Sequence, residues 1–317
     1  MARLVADFKS DLYDIARQRV AQDWGPETHS GERDGEGALV WFLDSLRRRP
    51  SPRPRAVLEA DDFHCPAGLL SGWYALRQKV IDGDDLGPHL SQRHSTLTNL
   101  DGLLNEWGVC HFHLGTYWDP RNPGLVKRTG PLVFALVTDD DFYAINVHSH
   151  ANWECSTIVE SLHRNWPHVI ASYQIRRIAP EALNAKERRN VRQLNAQAVV
   201  AVSDGTVYRA IGGGVMAAGN SLEALMYADQ LSAEVKRLQS WLERVLEDPE
   251  VGELLAHLRA KGYCDGLDLK AKLVTLVPLG LTPPQEYCFA FPDHDVEVRL
   301  VKDCLSQPTG CRFEFVR

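Results

Sequence analysis

The 317-residue chain lacks several features that would settle its class at once. It has no C-x-x-C pair, and its seven cysteines, at positions 65, 110, 155, 264, 288, 304 and 311, are odd in number and widely spaced. That pattern fits reduced thiols in a cytoplasm and excludes a zinc ribbon or a compact disulfide framework. No segment reaches the roughly eighteen consecutive apolar residues of a membrane-spanning helix, so no membrane partner is expected. The opening MARLVADFKSDLYDIARQRV has no unbroken apolar core and reads as an amphipathic helix, not a secretion signal. Positive charge is in deficit as well. Thirty-five Lys and Arg against 42 Asp and Glu leave a net charge of −7. This argues against a nonspecific nucleic-acid coat but leaves room for a local basic groove.

What is present is an ordinary globular composition, 44% apolar and 24% charged, enough for two domains or one elaborated domain. The pattern predicts an α+β fold. Two N-terminal helices, over 3–22 and 38–48, form a segment ending near residue 49. The basic, proline-rich RRRPSPRPR then reads as an extended linker over 50–57, with a phosphate-touching arm as the sharper alternative. From 58 to 180 the expectation is a catalytic domain in which helices flank a histidine-bearing antiparallel sheet. AGLLSGWYALRQKVIDG is a helix that Gly83 closes, and LTNLDGLLNEW is a short helix that ends at Gly108. The period then changes from about 3.6 to 2, with strands at 109–116, 131–138 and 142–149. A helix over 155–164 and a strand over 169–178 follow. From 181 to 317 an α+β region is expected. It contains a hairpin turning at Asp204-Gly205 and a long amphipathic helix over 222–247, with Asn220 as N-cap and Glu223 at the capping position. The run GGGVMAAG has neither the lysine of a P-loop nor the spacing of a dinucleotide fingerprint, and it reads as tight hairpin-to-helix packing.

Two strands carry the chemistry. VCHFHLGTYW holds His111 and His113, and FYAINVHSHANW holds His148 and His150. Alternation places Cys110, Phe112 and Leu114 on one face of the first strand and its histidines on the other. In the later strand it places Tyr143, Ile145 and Val147 opposite Asn146, His148 and His150. If the strands pair through their short turns, four imidazoles gather on one accessible face, with Phe112 and Ile145 buried beneath. Lys127 and Arg128 end the excursion between the first two strands, and Tyr117 and Trp153 are aromatic neighbours. From Ser161 to Arg192 seven basic residues face two acidic ones, a local +5 that includes Arg176 and Arg177.

The order of helix, histidine-bearing strand, polar turn, apolar strand, acidic turn and histidine-ended strand resembles the RelE/ParE-like toxin ribonucleases over about residues 95–170. The residues that carry it are CHFHLG…KRTGPLVFALVTDDDFYAINVHSHANW. The resemblance implies a metal-independent endoribonuclease with His111, Arg128 and His150 in the catalytic positions, RNA as substrate, and an antitoxin or other protein as partner. His113 is counted in the catalytic set beside them, although it and His148 are extras to the toxin pattern. Chemistry alone allows the same reading, since a base, an acid and a cation suffice to cleave RNA through its 2′-hydroxyl. Lys127, His148, Trp153, Tyr117, Arg176 and Arg177 would bind the substrate. Two alternatives stay open. The four histidines could hold zinc in a metal-dependent hydrolase, with Glu154 and Asp119 as the nearby carboxylates. The sheet could also be a non-catalytic binding surface.

Overall fold

A computed structural model describes residues 3–24, 35–149, 157–178, 183–247, 252–305 and 313–316. In chain order the elements are β1 (Arg3–Val5), α1 (Phe8–Trp24), α2 (Gly35–Arg48), β2 (Ala56–Glu59), α3 (Leu70–Asp82) and α4 (Gly102–Trp107). Then follow β3 (Val109–His113), β4 (Pro131–Val137), β5 (Asp141–Ser149), α5 (Thr157–Asn165), α6 (Pro167–Ile170), β6 (Gln174–Ile175) and α7 (Ala185–Gln193). The remainder is β7 (Val200–Ala201), β8 (Val207–Tyr208), α8 (Leu222–Glu247), α9 (Gly252–Ala260), β9 (Asp268–Lys270), β10 (Lys272–Val277), β11 (Glu286–Phe291), β12 (Val296–Val301) and β13 (Glu314–Phe315). The fold is α+β.

The chain forms two units that do not follow its linear order: one of residues 1–43 with 226–317, the other of residues 44–225. The boundaries fall inside α2 and α8. In the first unit β1 pairs in parallel with β9, and an antiparallel sheet runs in the order β10-β11-β12-β13. Helix α1 buries Phe8, Leu12, Ala16 and Val20, a spacing of four that makes one apolar stripe. Phe8 meets Phe289 at 6.1 Å between ring centroids, and Asp11 accepts the Leu273 N–H at 2.8 Å, so the first helix is part of the C-terminal sheet's core.

The second unit is built on the sheet β2-β5-β4-β3, antiparallel except for the β2–β5 pair. Helix α3 covers one face: Trp73, Leu76 and Val80 cluster with Cys110, Phe112, Val133, Phe142 and Ala144. Helix α5 covers the other through Ile158, Val159 and Leu162, which cluster with Leu132, Phe134, Tyr143 and Ile145. Gly83 at φ +78° and Gly108 at φ +69° end α3 and α4 as expected, each donating its N–H back to the helix. The Asp204-Gly205 hairpin joins β7 to β8, with β6 on the outer side.

Three local expectations are corrected. The segment expected as a strand over 169–178 is α6 and a single 3-10 turn before the two-residue β6, because Pro167 starts a helix in its first turn. The N-cap of α8 is Ser221, whose Oγ accepts the Ala224 N–H at 3.1 Å, and not Asn220. Glu223, freed from capping, goes to Arg47 instead. Finally, the segment expected as a loose basic linker is tied down at both ends. Arg47 and Arg48 form the last turn of α2. Buried Arg55 donates to the Thr138 carbonyl at 2.6 Å, and the next residue enters β2.

Arg47 is the anchor of the second unit. Its guanidinium donates to Glu223 Oε2 (2.9 Å), Asn105 Oδ1 (2.9 Å), Ser221 Oγ (2.5 Å) and the Gly212 carbonyl (2.7 Å). Gly212 has to be glycine there, since a Cβ would stand 1.8 Å from the Leu104 carbonyl oxygen. The glycine run therefore packs against α4, as its sequence suggests. Replacing Arg47 by Met would leave Glu223, Asn105 and a backbone carbonyl without their donor. Chemical denaturation should show a loss of about 1–3 kcal/mol, since buried Asn105 and the Gly212 carbonyl lose their donor while Glu223, a third exposed, turns to water.

Candidate functional site

The register decides which histidines meet. His111 faces Phe134 across β3–β4, and Phe134 faces Asn146 across β4–β5; in the next rank His113 faces Leu132, which faces His148. His111, His113 and His148 therefore share a sheet face. That face is not the accessible one expected. It carries Phe134, Leu132 and Ile145 as well, and α5 packs on it. The pairing shifts between Phe134 and Ala135, where Ile145 is the extra residue of a bulge. The bulge turns Tyr143 and Ile145 toward the histidine side, whereas Phe112 lies beneath on the α3 side.

Phe134 also separates the imidazoles. It stacks on His111 at 6.1 Å and meets His148 edge-on at 5.7 Å, so its ring stands between them. His113 is buried, with 5% of its surface exposed. Its Nδ1 accepts the Thr129 N–H at 3.0 Å, and its carbonyl lies 2.7 Å from Nδ1 of buried His89. His113 is a structural histidine. His148 is half-buried, and burial pushes its pKa down, opposed by Asp62. His150, Trp153 and Glu154 lie outside the described residues. Among those described, no three His, Cys, Asp or Glu side chains converge as metal ligands. Asp119 is used locally, accepting from the Arg121 N–H and Asn122 Nδ2.

The proposed cations and aromatics are dispersed. Arg128 is partly buried and donates to the Leu90 carbonyl at 2.6 Å. Lys127 is half-exposed, and its backbone N–H donates to the Tyr117 carbonyl. Tyr117 and its neighbour Trp118 are both exposed. Arg176 and Arg177 are exposed on the loop after β6. In the basic helix α7, Arg188 and Arg192 are bound to Glu106, Arg188 Nη1 at 3.0 Å and Arg192 Nε at 2.7 Å. Much of the local +5 is therefore structural.

What the histidine strand does meet is a loop that the sequence shows only as polar. Between α3 and α4 the chain makes short 3-10 turns, one of them capped by Ser91, and carries His94 beneath its surface. A cavity of about 460 Å³ opens there, lined by Ser91, Arg93, His94, Asn99, Asp101 and His111 among others. That is within the size range of small-molecule sites. His94 and His111 lie 6.1 Å apart between ring centroids, inclined at 60°. Asp101 caps α4 through Oδ1, which accepts the Leu104 N–H, and sets Oδ2 3.4 Å from His94 Nε2. Its carboxylate favours the tautomer with the proton on Nε2 and leaves Nδ1 of His94 as a lone pair. That nitrogen is sealed from solvent and has no hydrogen-bond partner among the described residues. Burial pushes the His94 pKa down to about 4; Asp101 opposes the shift, while His111 and nearby arginines add to it.

A second trio joins α5 to the hairpin: His163 lies 2.8 Å from the Tyr208 hydroxyl and 3.1 Å from Asp204 Oδ2. It closes the hairpin onto the helix.

The His94 arrangement has a thermodynamic consequence. Its folded pKa, about 4, lies below the ordinary 6.5, so between those values the unfolded chain takes up a proton that the native protein refuses. His94 therefore adds stability in full above pH 6.5 that is lost as the pH falls toward 4. In His94→Gln the fall in unfolding free energy over this interval should flatten by up to about 1.4 kcal/mol per pH unit. Denaturant titrations at several pH values measure this. No family model matches the chain, and no curated protein or solved structure matches it either.

Proposed function

We propose that the chain is a metal-independent endoribonuclease whose site is the His94–Asp101–His111 cavity. The observation that carries this reading is the pair of imidazoles 6.1 Å apart on one cavity wall, one of them held against a buried carboxylate. Cleavage through the 2′-hydroxyl needs one free imidazole, one protonated imidazole and a cation for the phosphate. His94 fits the free base, since burial keeps it neutral well below pH 7. A 2′-hydroxyl would reach its Nδ1, sealed as the rings stand, only as they part to admit it. His111, half-exposed on the wall, fits the donor to the departing 5′-oxygen. Arg93, exposed at the rim, fits the cation that the sequence had suggested in Arg128. Asp101 is a positioning residue. Exposed Tyr117 and Trp118 offer faces on which bases can stack.

His94→Ala and His111→Ala should each remove most cleavage of a mixed-sequence RNA, and Asp101→Asn, which keeps a helix-capping side chain, should slow it less. The products should carry 2′,3′-cyclic or 3′-phosphate ends, and the activity should survive EDTA. On the acid side the rate should hold until the pH nears 4, where His94 protonates. Activity that needs added zinc, or that persists in both histidine variants, would overturn the reading.

A further inference from the structure

The unit formed by the two chain ends has a pair of adjoining cavities of different character. The larger, about 530 Å³, is lined by Lys236, Arg237, Ser240, Arg244 and Lys302 around a single carboxylate, Glu234. The smaller, about 290 Å³, is mostly apolar and includes Tyr227, Leu231, Pro283 and Pro284. Glu234, Arg237 and Lys302 line both, so the two spaces meet at these residues.

Glu234 explains how the basic end is built. It is buried, with 5% of its surface exposed, and accepts from the Tyr287 hydroxyl and from Arg237, with Lys302 Nζ 3.3 Å away. Its charge is thus already answered. Lys236 and Arg244 have no ion-pair partner among the described residues, and both are exposed. With Ser240 they stand at intervals of four along α8, on one side of the helix and spread over about 12 Å. Cations at that spacing, drawn together beside a satisfied carboxylate, suit a chain of phosphates better than one compact anion. The neighbouring space offers a tyrosine ring and proline faces, the surroundings that a flat heterocycle takes.

From this juxtaposition we infer that the unit binds a nucleoside polyphosphate, with its phosphates along Lys236, Ser240 and Arg244 and its base in the Tyr227 cavity. The inference does not depend on the ribonuclease site, whose residues belong to the other unit. Calorimetric titration of the 317-residue chain with ATP, inorganic triphosphate and adenosine, all without added metal, tests it. ATP should bind saturably, triphosphate at least about tenfold more weakly, and adenosine not measurably. A tenfold difference is what stacking of one base supplies. The double variant Lys236→Glu/Arg244→Glu should weaken ATP by more than about tenfold. Tyr227→Ala should bring ATP to the affinity of triphosphate while leaving triphosphate unchanged, which also shows that the variant is folded. His111→Ala should bind ATP as the parent does. Absence of ATP binding at millimolar concentration, equal affinity for ATP and triphosphate, or indifference to the charge reversal would overturn the inference. So would binding of an oligoribonucleotide at this face without any of ATP, which would make it a nucleic-acid groove.

Discussion

Three successive arginines at the end of α2 determine where the second unit places the loop of His94 and helix α4. Arg47 holds Asn105 in α4 and the Gly212 carbonyl against it. Arg48, almost wholly buried beside Asp44, donates to the carbonyls of Thr96 and Leu97 at 3.0 and 2.6 Å. Arg49 reaches the His94 carbonyl at 3.3 Å. A planar guanidinium with five donors can satisfy several acceptors at once, which a lysine in the same place cannot. The loop from His94 to Leu97 is therefore held from beneath and α4 from its side. Asp101, between them, has little freedom left. The approach of His94 to Asp101 and His111 follows from this clamp and needs little from the local sequence.

The clamp also explains the cost of the arrangement. Asp44 is buried between Arg47 and Arg48, and burial pushes its pKa up while both guanidinium groups oppose the shift. A buried group of this kind contributes little net stability but makes each alternative packing expensive, because any rearrangement strands a charge. Here that expense falls on the segment that carries the site. Preorganisation of an imidazole against a carboxylate is worth most where the surroundings cannot relax.

Much of the architecture was legible from period and punctuation. The shift from 3.6 to 2 at Gly108 marks the start of β3 to the residue, and Gly83, Asp204 and Gly205 lie at the turns their chemistry requires. Alternation correctly set His111 and His113 opposite Cys110 and Phe112. It could not say what covers each face, and it failed past the bulge, where one extra residue in β5 moved Ile145 to the histidine side. The basic run RRRPSPRPR misled for a related reason. Arginine spacing looks the same whether the side chains meet solvent or backbone carbonyls. His94 was hidden most completely, since a loop has no period from which to infer a direction. Its one signal was the acidic cap Asp101 before the GLLNEW helix, a few residues downstream of a loop histidine.

The burial of the sheet on both faces bears on where any reaction can occur. Between α3 and α5 the centre of the sheet admits no substrate, and Phe134 fills the space between His111 and His148. An opening can form only at a border, and of the two edge strands in the order β2-β5-β4-β3, β2 and β3, it is β3 that carries histidines. That edge is where the loop before α4 folds over and the 460 Å³ cavity lies. His111 is the one strand histidine both on the edge strand and short of full burial; His113, two residues on, is already sealed by Thr129. The histidine that lines the cavity is selected by its position on the sheet's border, and the clamp of α2 holds His94 beside it from outside the sheet.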